Sequence, residues 1–231
     1  VSLTLPSATG TTTHIGIGSS LIGGGVCFAG GTMIQGASGP VAVETIRAGD
    51  MIRTRDHGLK PVKWAGQRRY SRIDLQREPK MRPICISAGA LGRNAPERDL
   101  VVSPQHRILA RSPLVERMFG AREILVAAKD LVQLPGVDSI VECDGITYVH
   151  ILFDRHEIVF ANGAEAESLY TGPEALANVP AEARDEILSM FPELADPAHL
   201  PQPARMIPPG KMARKLVLRA GKNSKRLCDA L

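Results

Sequence analysis

Between residues 27 and 170 the apolar side chains come in short runs that alternate with polar ones and end at glycine- or proline-bearing turns. Val41-Ala42-Val43-Glu44-Thr45-Ile46 leads into the turn Arg47-Ala48-Gly49-Asp50. Met51-Ile52-Arg53-Thr54-Arg55 follows with alternating polarity, and Asp56-His57-Gly58 turns the chain into Pro61-Val62-Lys63-Trp64-Ala65. Successive side chains of a strand point to opposite faces, so runs of this kind suit half-buried strands. Their spacing predicts an all-β domain of many hairpins. Further strands are expected at residues 82–86, 106–110, 140–143, 147–153 and 157–161, with a short helix over 123–131 packed on the sheet. Asn162-Gly163 is a favoured dipeptide for a tight turn.

The flanks follow different patterns. Residues 1–26 are rich in Thr, Ser and Gly and read as a flexible leader. After residue 170 the pattern turns helical. Pro173-Glu174-Ala175-Leu176-Ala177 suits a first helical turn, where proline is tolerated. Residues 180–194 place Ile187, Leu188, Met190, Phe191 and Leu194 on one broad face. From Pro201 the chain is proline-rich and then basic, with Lys211, Arg214, Lys215, Arg219, Lys222, Lys225 and Arg226. A partly ordered tail with solvated charge is expected there. The division is a leader at 1–26, a β domain at 27–170, and a helical extension with a basic tail at 171–231.

Composition narrows the function classes. The chain has 231 residues, enough for one sizeable core. With 4% aromatic residues, that core must rest on Val, Ile, Leu and Ala. A net charge of +4, spread along the chain, argues against a dedicated nucleic-acid surface, which needs a focused basic patch. No apolar stretch reaches the length of a membrane span, and no signal-peptide pattern is visible at the N-terminus. Cys27, Cys85, Cys143 and Cys228 are far apart, without a C-x-x-C or a Cys/His group at zinc spacing. Free thiols are expected, with no disulfide framework, metal or cofactor.

One thiol stands in an unusual place. Cys27 follows Gly23-Gly24-Gly25-Val26 and precedes Phe28-Ala29-Gly30-Gly31-Thr32. Glycines give the backbone freedom there, and a thiol at that junction can reach the carbonyl of its own preceding residue, Val26. Cleaving an amide also requires a proton for the departing nitrogen and stabilisation of the oxyanion. In Leu100-Val101-Val102-Ser103-Pro104-Gln105-His106, Ser103 and His106 flank a turn between two apolar strands. An ordinary histidine titrates near working pH, so His106 is expected to be able to donate a proton. As a plain turn, the same segment would have Ser103 bonding to its own backbone. A third cluster runs from Tyr148 through His150, Asp154, Arg155, His156 and Glu157 to Gly163. Weak surface ion pairs account for Arg155 and Glu157. They account less well for an acid, Asp154, between two histidines.

Taken in order, these segments resemble the Hint domain, the self-processing module of inteins and of the hedgehog C-terminal domain. The likeness is nearest to the bacterial branch often seen in alphaproteobacterial proteins. It is carried by Cys27-Phe28-Ala29-Gly30-Gly31-Thr32, Glu44-Thr45-Ile46-Arg47-Ala48-Gly49-Asp50, Val102-Ser103-Pro104-Gln105-His106-Arg107 and His150-Ile151-Leu152-Phe153-Asp154-Arg155-His156-Glu157. The resemblance implies a horseshoe-shaped, pseudo-two-fold β fold. It makes Cys27 the nucleophile that converts the Val26–Cys27 amide to a thioester, and His106 the residue that protonates or polarises that amide. Ser103 stands where the family's motif usually has Thr. His150 falls where inteins commonly have Asp, and His156 where they have a supporting His, with Asp154 between the two.

Splicing requires a C-terminal His-Asn followed by Ser, Thr or Cys. After Asn162-Gly163 the chain runs Ala164-Glu165-Ala166-Glu167-Ser168-Leu169-Tyr170, without that motif. The expected activity is therefore autocatalytic N-terminal cleavage, with the chain's own leader as substrate. The acceptor nucleophile, the oligomeric state and the localisation stay open, although domains of this branch are often attached to exported proteins. Two other readings are a catalytically silent Hint module with a structural or secretion-linked role, and a cysteine hydrolase acting in trans through Cys27 and His106.

Overall fold

A computed structural model of the chain describes residues 25–171, 181–196, 201–222 and 226–228. In chain order the strands are β1 (Phe28–Ala29), β2 (Met33–Gly36), β3 (Gly39–Ala42), β4 (Met51–Thr54), β5 (Gly58–Pro61), β6 (Trp64–Ser71) and β7 (Ile84–Ile86). They continue with β8 (Leu100–Val102), β9 (Arg107–Arg111), β10 (Glu123–Ala127), β11 (Val137–Ser139), β12 (Gly145–Leu152), β13 (Ile158–Ala161) and β14 (Ala164–Glu167). One sheet has six strands in the order β11-β7-β8-β1-β12-β6. The other has eight, ordered β10-β9-β14-β13-β2-β4-β5, with β3 paired to β2. The all-β expectation holds. Among the described residues no helix is long and apolar enough to cross a membrane.

The core is aliphatic, as the low aromatic content requires. Ile34, Ile52, Val102, Ile108, Val149 and Val159 from both sheets belong to one buried cluster, in which the fully buried aromatics are Phe28 and Phe153. The Asn162-Gly163 turn joins β13 to β14 with φ of 46° and 80°. Two consecutive left-handed residues are what a two-residue hairpin turn needs, and Asn-Gly supplies them at low steric cost.

Four expectations are corrected. Residues 123–131 are mostly strand: β10 covers Glu123–Ala127, and only Ala128–Leu131 is helical. Ile124 and Val126 enter the main cluster while Leu125 packs with Leu109 and Ile158. A strand buried on both faces loses its alternation, and its apolar run then looks helical. Residues 140–143 are irregular, and the strand lies just before them at β11, paired with β7. Two short helices were not expected, Arg72–Arg77 and Pro113–Phe119. Ser71 and Asp74 cap the first reciprocally. Ser112 caps the second, which has Pro113 at its start and Gly120 in the left-handed region at its end.

The fourth correction is the tail. Gly210–Lys222 is a helix whose Ala213, Leu216, Val217 and Ala220 are buried in the main cluster. It packs on β10 and on the Pro113–Phe119 and Ala128–Leu131 helices, and Arg214 pairs with Asp130 at 2.8 Å. Only its basic face is solvated. The earlier helix is present as Ala181–Met190 with a tight turn at Pro192–Ala195, although Met190 stays 40% exposed. The leader up to residue 24 and the expected helical turn at 173–177 lie outside the described residues.

Candidate active site

The register of three strands assembles the site. β1 lies between β8 and β12, with Phe28 opposite Val102 on one side and Val149 on the other. β1 runs antiparallel to both neighbours, so one step back along β1 sets Cys27 beside Ser103, one step past Val102, and beside His150, one step past Val149. The Ser103 N–H donates to the Cys27 carbonyl at 3.0 Å, extending the β1–β8 ladder into the site. Residues some 76 and 123 positions away along the chain thus meet at one peptide bond.

The peptide bond is gripped on every side. The Cys27 N–H donates to Ser103 Oγ at 3.0 Å, and the Ser103 hydroxyl donates to the Gly25 carbonyl at 2.6 Å. His150 Nδ1 donates to the Val26 carbonyl at 2.7 Å. A carbonyl oxygen can only accept, so this contact places the proton on Nδ1 and leaves the Nε2 lone pair free. Nε2 lies 3.3 Å from Cys27 Sγ. A single imidazole therefore touches both the thiol and the carbonyl oxygen of the preceding residue. Leu75, Met81 and Tyr148 wall the thiol, and Tyr148 is fixed by its hydroxyl donating to the Met81 carbonyl at 2.9 Å.

His106 completes the group from the turn after β8. Its N–H donates to the Ser103 carbonyl at 3.0 Å, and the turn is held from outside by Ala128 N–H on the His106 carbonyl and Lys129 N–H on the Pro104 carbonyl. The ring is fully buried against Phe28, centroids 4.3 Å apart, and neither ring nitrogen has a hydrogen-bond partner among the described residues.

Burial dominates the electrostatics. It pushes the Cys27 thiol well above its ordinary value, against a smaller opposing effect of Ser103. It lowers His150 to about 4, opposed by the bond to Val26. His106 is also lowered to about 4, opposed by Glu167 and by a contact with the Cys27 main chain that falls short of a hydrogen bond. Near neutral pH the site holds a protonated thiol beside the neutral His150 imidazole, with a second neutral imidazole, His106, near the Cys27 main chain. Such an arrangement can move a proton from sulfur to nitrogen within the site without creating a lasting charge.

Gly25 is needed for a reason that sequence reasoning did not find. An added Cβ would lie 2.9 Å from His150 Cε1 and 3.8 Å from Cys27 Sγ. The glycine makes room for the imidazole. Its backbone is not left-handed, so conformational freedom is not what it supplies here. A glycine directly before the Val-Cys pair was the available signal.

The other two expected residues lie elsewhere. His156 is buried 3.2 Å from Glu167, accepts the Ala204 N–H at Nδ1 (3.1 Å) and packs on the Tyr170 ring. Glu167 is also held by Arg107 at 3.0 Å. Asp154 is exposed on a cleft of about 600 Å³ that also has His57, His156 and Arg205 in its walls. Neither Asp154 nor His156 has a contact with Cys27, because the chain leaves β12 at Leu152 and has crossed to the other sheet by β13. Of the expected set, Val26, Cys27, Ser103, His106 and His150 are brought together.

In solved structures the fold is similar to a bacterial intein-like domain from Clostridium thermocellum (15% identity, 62% of this chain and 97% of that one, TM-score 0.44). It is also similar to the gp41-1 intein (10% identity, 62% and 98%, TM-score 0.37) and to a splice-inactive variant of the AceL NrdHF class 3 split intein (12% identity, 62% and 97%, TM-score 0.40). No curated protein sequence matches the chain. The family model for the Hint domain matches residues 26–173, which include every residue of the Cys27 site except Gly25. This chain belongs to the Hint domain family.

Proposed function

We propose that the chain cleaves itself at Val26–Cys27 by moving the Val26 acyl group from nitrogen to sulfur, without splicing. The observation that carries this reading is the double contact of His150, at 2.7 Å to the Val26 carbonyl and 3.3 Å to Cys27 Sγ. His150 Nε2 takes the thiol proton as sulfur attacks the Val26 carbonyl carbon. The Nδ1–H stays on the oxygen as it becomes an oxyanion, where a fixed donor contributes most. The C–N bond then breaks. The Cys27 nitrogen receives the proton that sulfur lost and becomes a free amine, leaving Val26 as a thioester on Sγ. Burial makes the intermediate imidazolium a stronger acid than an ordinary histidine, which favours that return. His106, neutral and with no ring hydrogen-bond partner among the described residues, polarises the nitrogen as it pyramidalises.

Ser103 keeps the scissile N–H and the Gly25 carbonyl in register. Water or another nucleophile then resolves the thioester and frees residues 1–26. Holding the thiol beside its own carbonyl replaces a bimolecular encounter, an effect with a ceiling of about 7–11 kcal/mol of barrier. The burial of Cys27 and His106 favours reaction within the chain over action on a separate substrate.

Mass spectrometry of the chain incubated with a strong thiol or with hydroxylamine tests the proposal. The wild type should release a fragment ending at Val26 as the thioester or the hydroxamate, while Cys27→Ala stays intact. Equal behaviour of the two proteins would overturn it.

A further inference from the structure

The side chain of Val26 is 6% exposed although it stands at the border of the β domain. Its neighbours come from two regions of sequence. Trp64, Leu152 and Leu169 belong to the β domain, and Ala183 and Ile187 belong to the helix Ala181–Met190 beyond it. The helix is fastened at the same place, with Trp64 Nε1–H donating to Glu186 at 2.8 Å. Trp64 pairs with Leu152 in the β6–β12 ladder, and Gly66 pairs with His150 two residues further along β6. The indole folds back over Gly66, where an added Cβ would come within 2.2 Å of the ring, and so reaches to 6.4 Å from the His150 imidazole.

We infer that the Ala181–Met190 helix closes a specificity pocket for the side chain of the residue preceding the nucleophile, and that this pocket selects a small aliphatic group. This rests on the self-cleavage reading and extends it. The β domain supplies Trp64, Leu152 and Leu169 to the cluster that buries Val26, and Ala183 and Ile187 of the helix complete it as the roof of the inferred pocket. Removing the roof would open the acyl group to solvent beside His150, so the extension also governs how fast water reaches the thioester. A hydrophobic pocket separates substrates that differ by a methylene by about 10- to 200-fold, and an aromatic ring in place of valine is a larger change.

Two readouts test the inference in the full chain. The first is a cycle of Val26→Phe, Ile187→Ala and their combination, followed by thiol-induced cleavage rate and by melting temperature. Val26→Phe should slow cleavage at least tenfold and lower the melting temperature. Adding Ile187→Ala should recover much of both, because the smaller roof residue makes room for the ring. The second uses Trp64, the only tryptophan in the chain. Ile187→Ala and Glu186→Ala should each red-shift its emission and increase its quenching by acrylamide.

Cleavage of Val26→Phe at the wild-type rate, absence of rescue, or unchanged Trp64 quenching in both helix variants would overturn the inference. If Val26→Phe fails to fold, Trp64 quenching in the helix variants decides. A wild type that never cleaves, with rescue of melting temperature and shifted Trp64 emission, would refute the self-cleavage reading and leave the pocket standing.

Discussion

Acid should destabilise this fold before most carboxylates are protonated, and two residues set the size of the effect. His106 and His150 are both buried, and both are lowered from 6.5 to about 4, chiefly by desolvation. An unfolded chain binds protons at both positions as pH falls through 6.5, whereas the folded chain does so only near 4. Their contribution is therefore fully present above pH 6.5 and lost progressively as pH falls from 6.5 towards 4. At 1.36 kcal/mol per pH unit each histidine accounts for about 3 kcal/mol over that window. Two such groups amount to about half of the stability of an ordinary domain, about 5–15 kcal/mol.

The groups facing them do not erase the effect. Glu167 and the Cys27 main chain favour protonation of His106, Arg107 and His150 oppose it, and burial outweighs all of these. Asp56 is held below 3.8 mainly by Arg205, so its loss belongs to more acidic solutions. Urea unfolding followed by Trp64 emission at pH 7.5, 6.5, 5.5 and 4.5 should show a slope that peaks at about 2.4 kcal/mol per pH unit between pH 5 and 5.5. The variant His106→Gln should retain roughly half of that slope. A flat profile between pH 7 and 4.5 would refute the reasoning, as would a His106→Gln/His150→Gln double variant with the wild-type slope.

Two further outcomes follow from packing. Gly25→Ala should push the His150 ring off the Val26 carbonyl, since its Cβ would meet Cε1 at 2.9 Å, and a displacement of about 1 Å at a reacting group can cost about 100-fold in rate. Thiol-induced cleavage read against melting temperature would separate that loss from the about 1–3 kcal/mol expected of overpacking. Leu216→Ala should destabilise the fold by about 2–5 kcal/mol in a urea titration, because the residue is fully buried in the main core. A loss below about 0.5 kcal/mol would mean that the Gly210–Lys222 helix is an appendage.

How far the sequence discloses the molecule depends on which signal each element carries. Alternation marks strands with one wet face, and so Met51–Thr54 was legible. It fails for β10, where Ile124, Leu125 and Val126 are all buried and period 2 disappears. The Gly210–Lys222 helix is a different case. Ala213, Leu216, Val217 and Ala220 fall at i, i+3, i+4 and i+7, a plain amphipathic stripe. Its basic residues drew attention to the opposite face, and the preceding prolines suggested a tail. At the site, Cys27, Ser103 and His106 stood out because a thiol, a hydroxyl and an imidazole beside turns are chemically distinctive. Gly25 and Trp64 act by shape, one by leaving a gap and the other by filling one. Nothing local in a sequence records which imidazole a glycine must admit.

Burial works against nucleophile activation, since it keeps the Cys27 thiol protonated and both histidines neutral. A turnover enzyme with a nucleophile 2% exposed would have no way to admit its substrate. A chain that processes itself has its acyl group in place from the moment it folds, so closure does not obstruct the first step. In the proposed reaction the same closure would keep bulk water from solvating the oxyanion, leaving the His150 Nδ1–H, 2.7 Å from the Val26 carbonyl, as the donor to stabilise it. The second step is different, because a resolving nucleophile must come from outside. In the described structure Val26 is covered by Trp64, Leu152 and Leu169 and by the helix that Glu186 fastens to Trp64. Among the described residues the helix is bonded there by one side-chain hydrogen bond and a small apolar contact, which makes it the weakest part of the enclosure. Under the self-cleavage proposal, control over when the thioester is released would fall to the extension, and the β domain would control whether it forms.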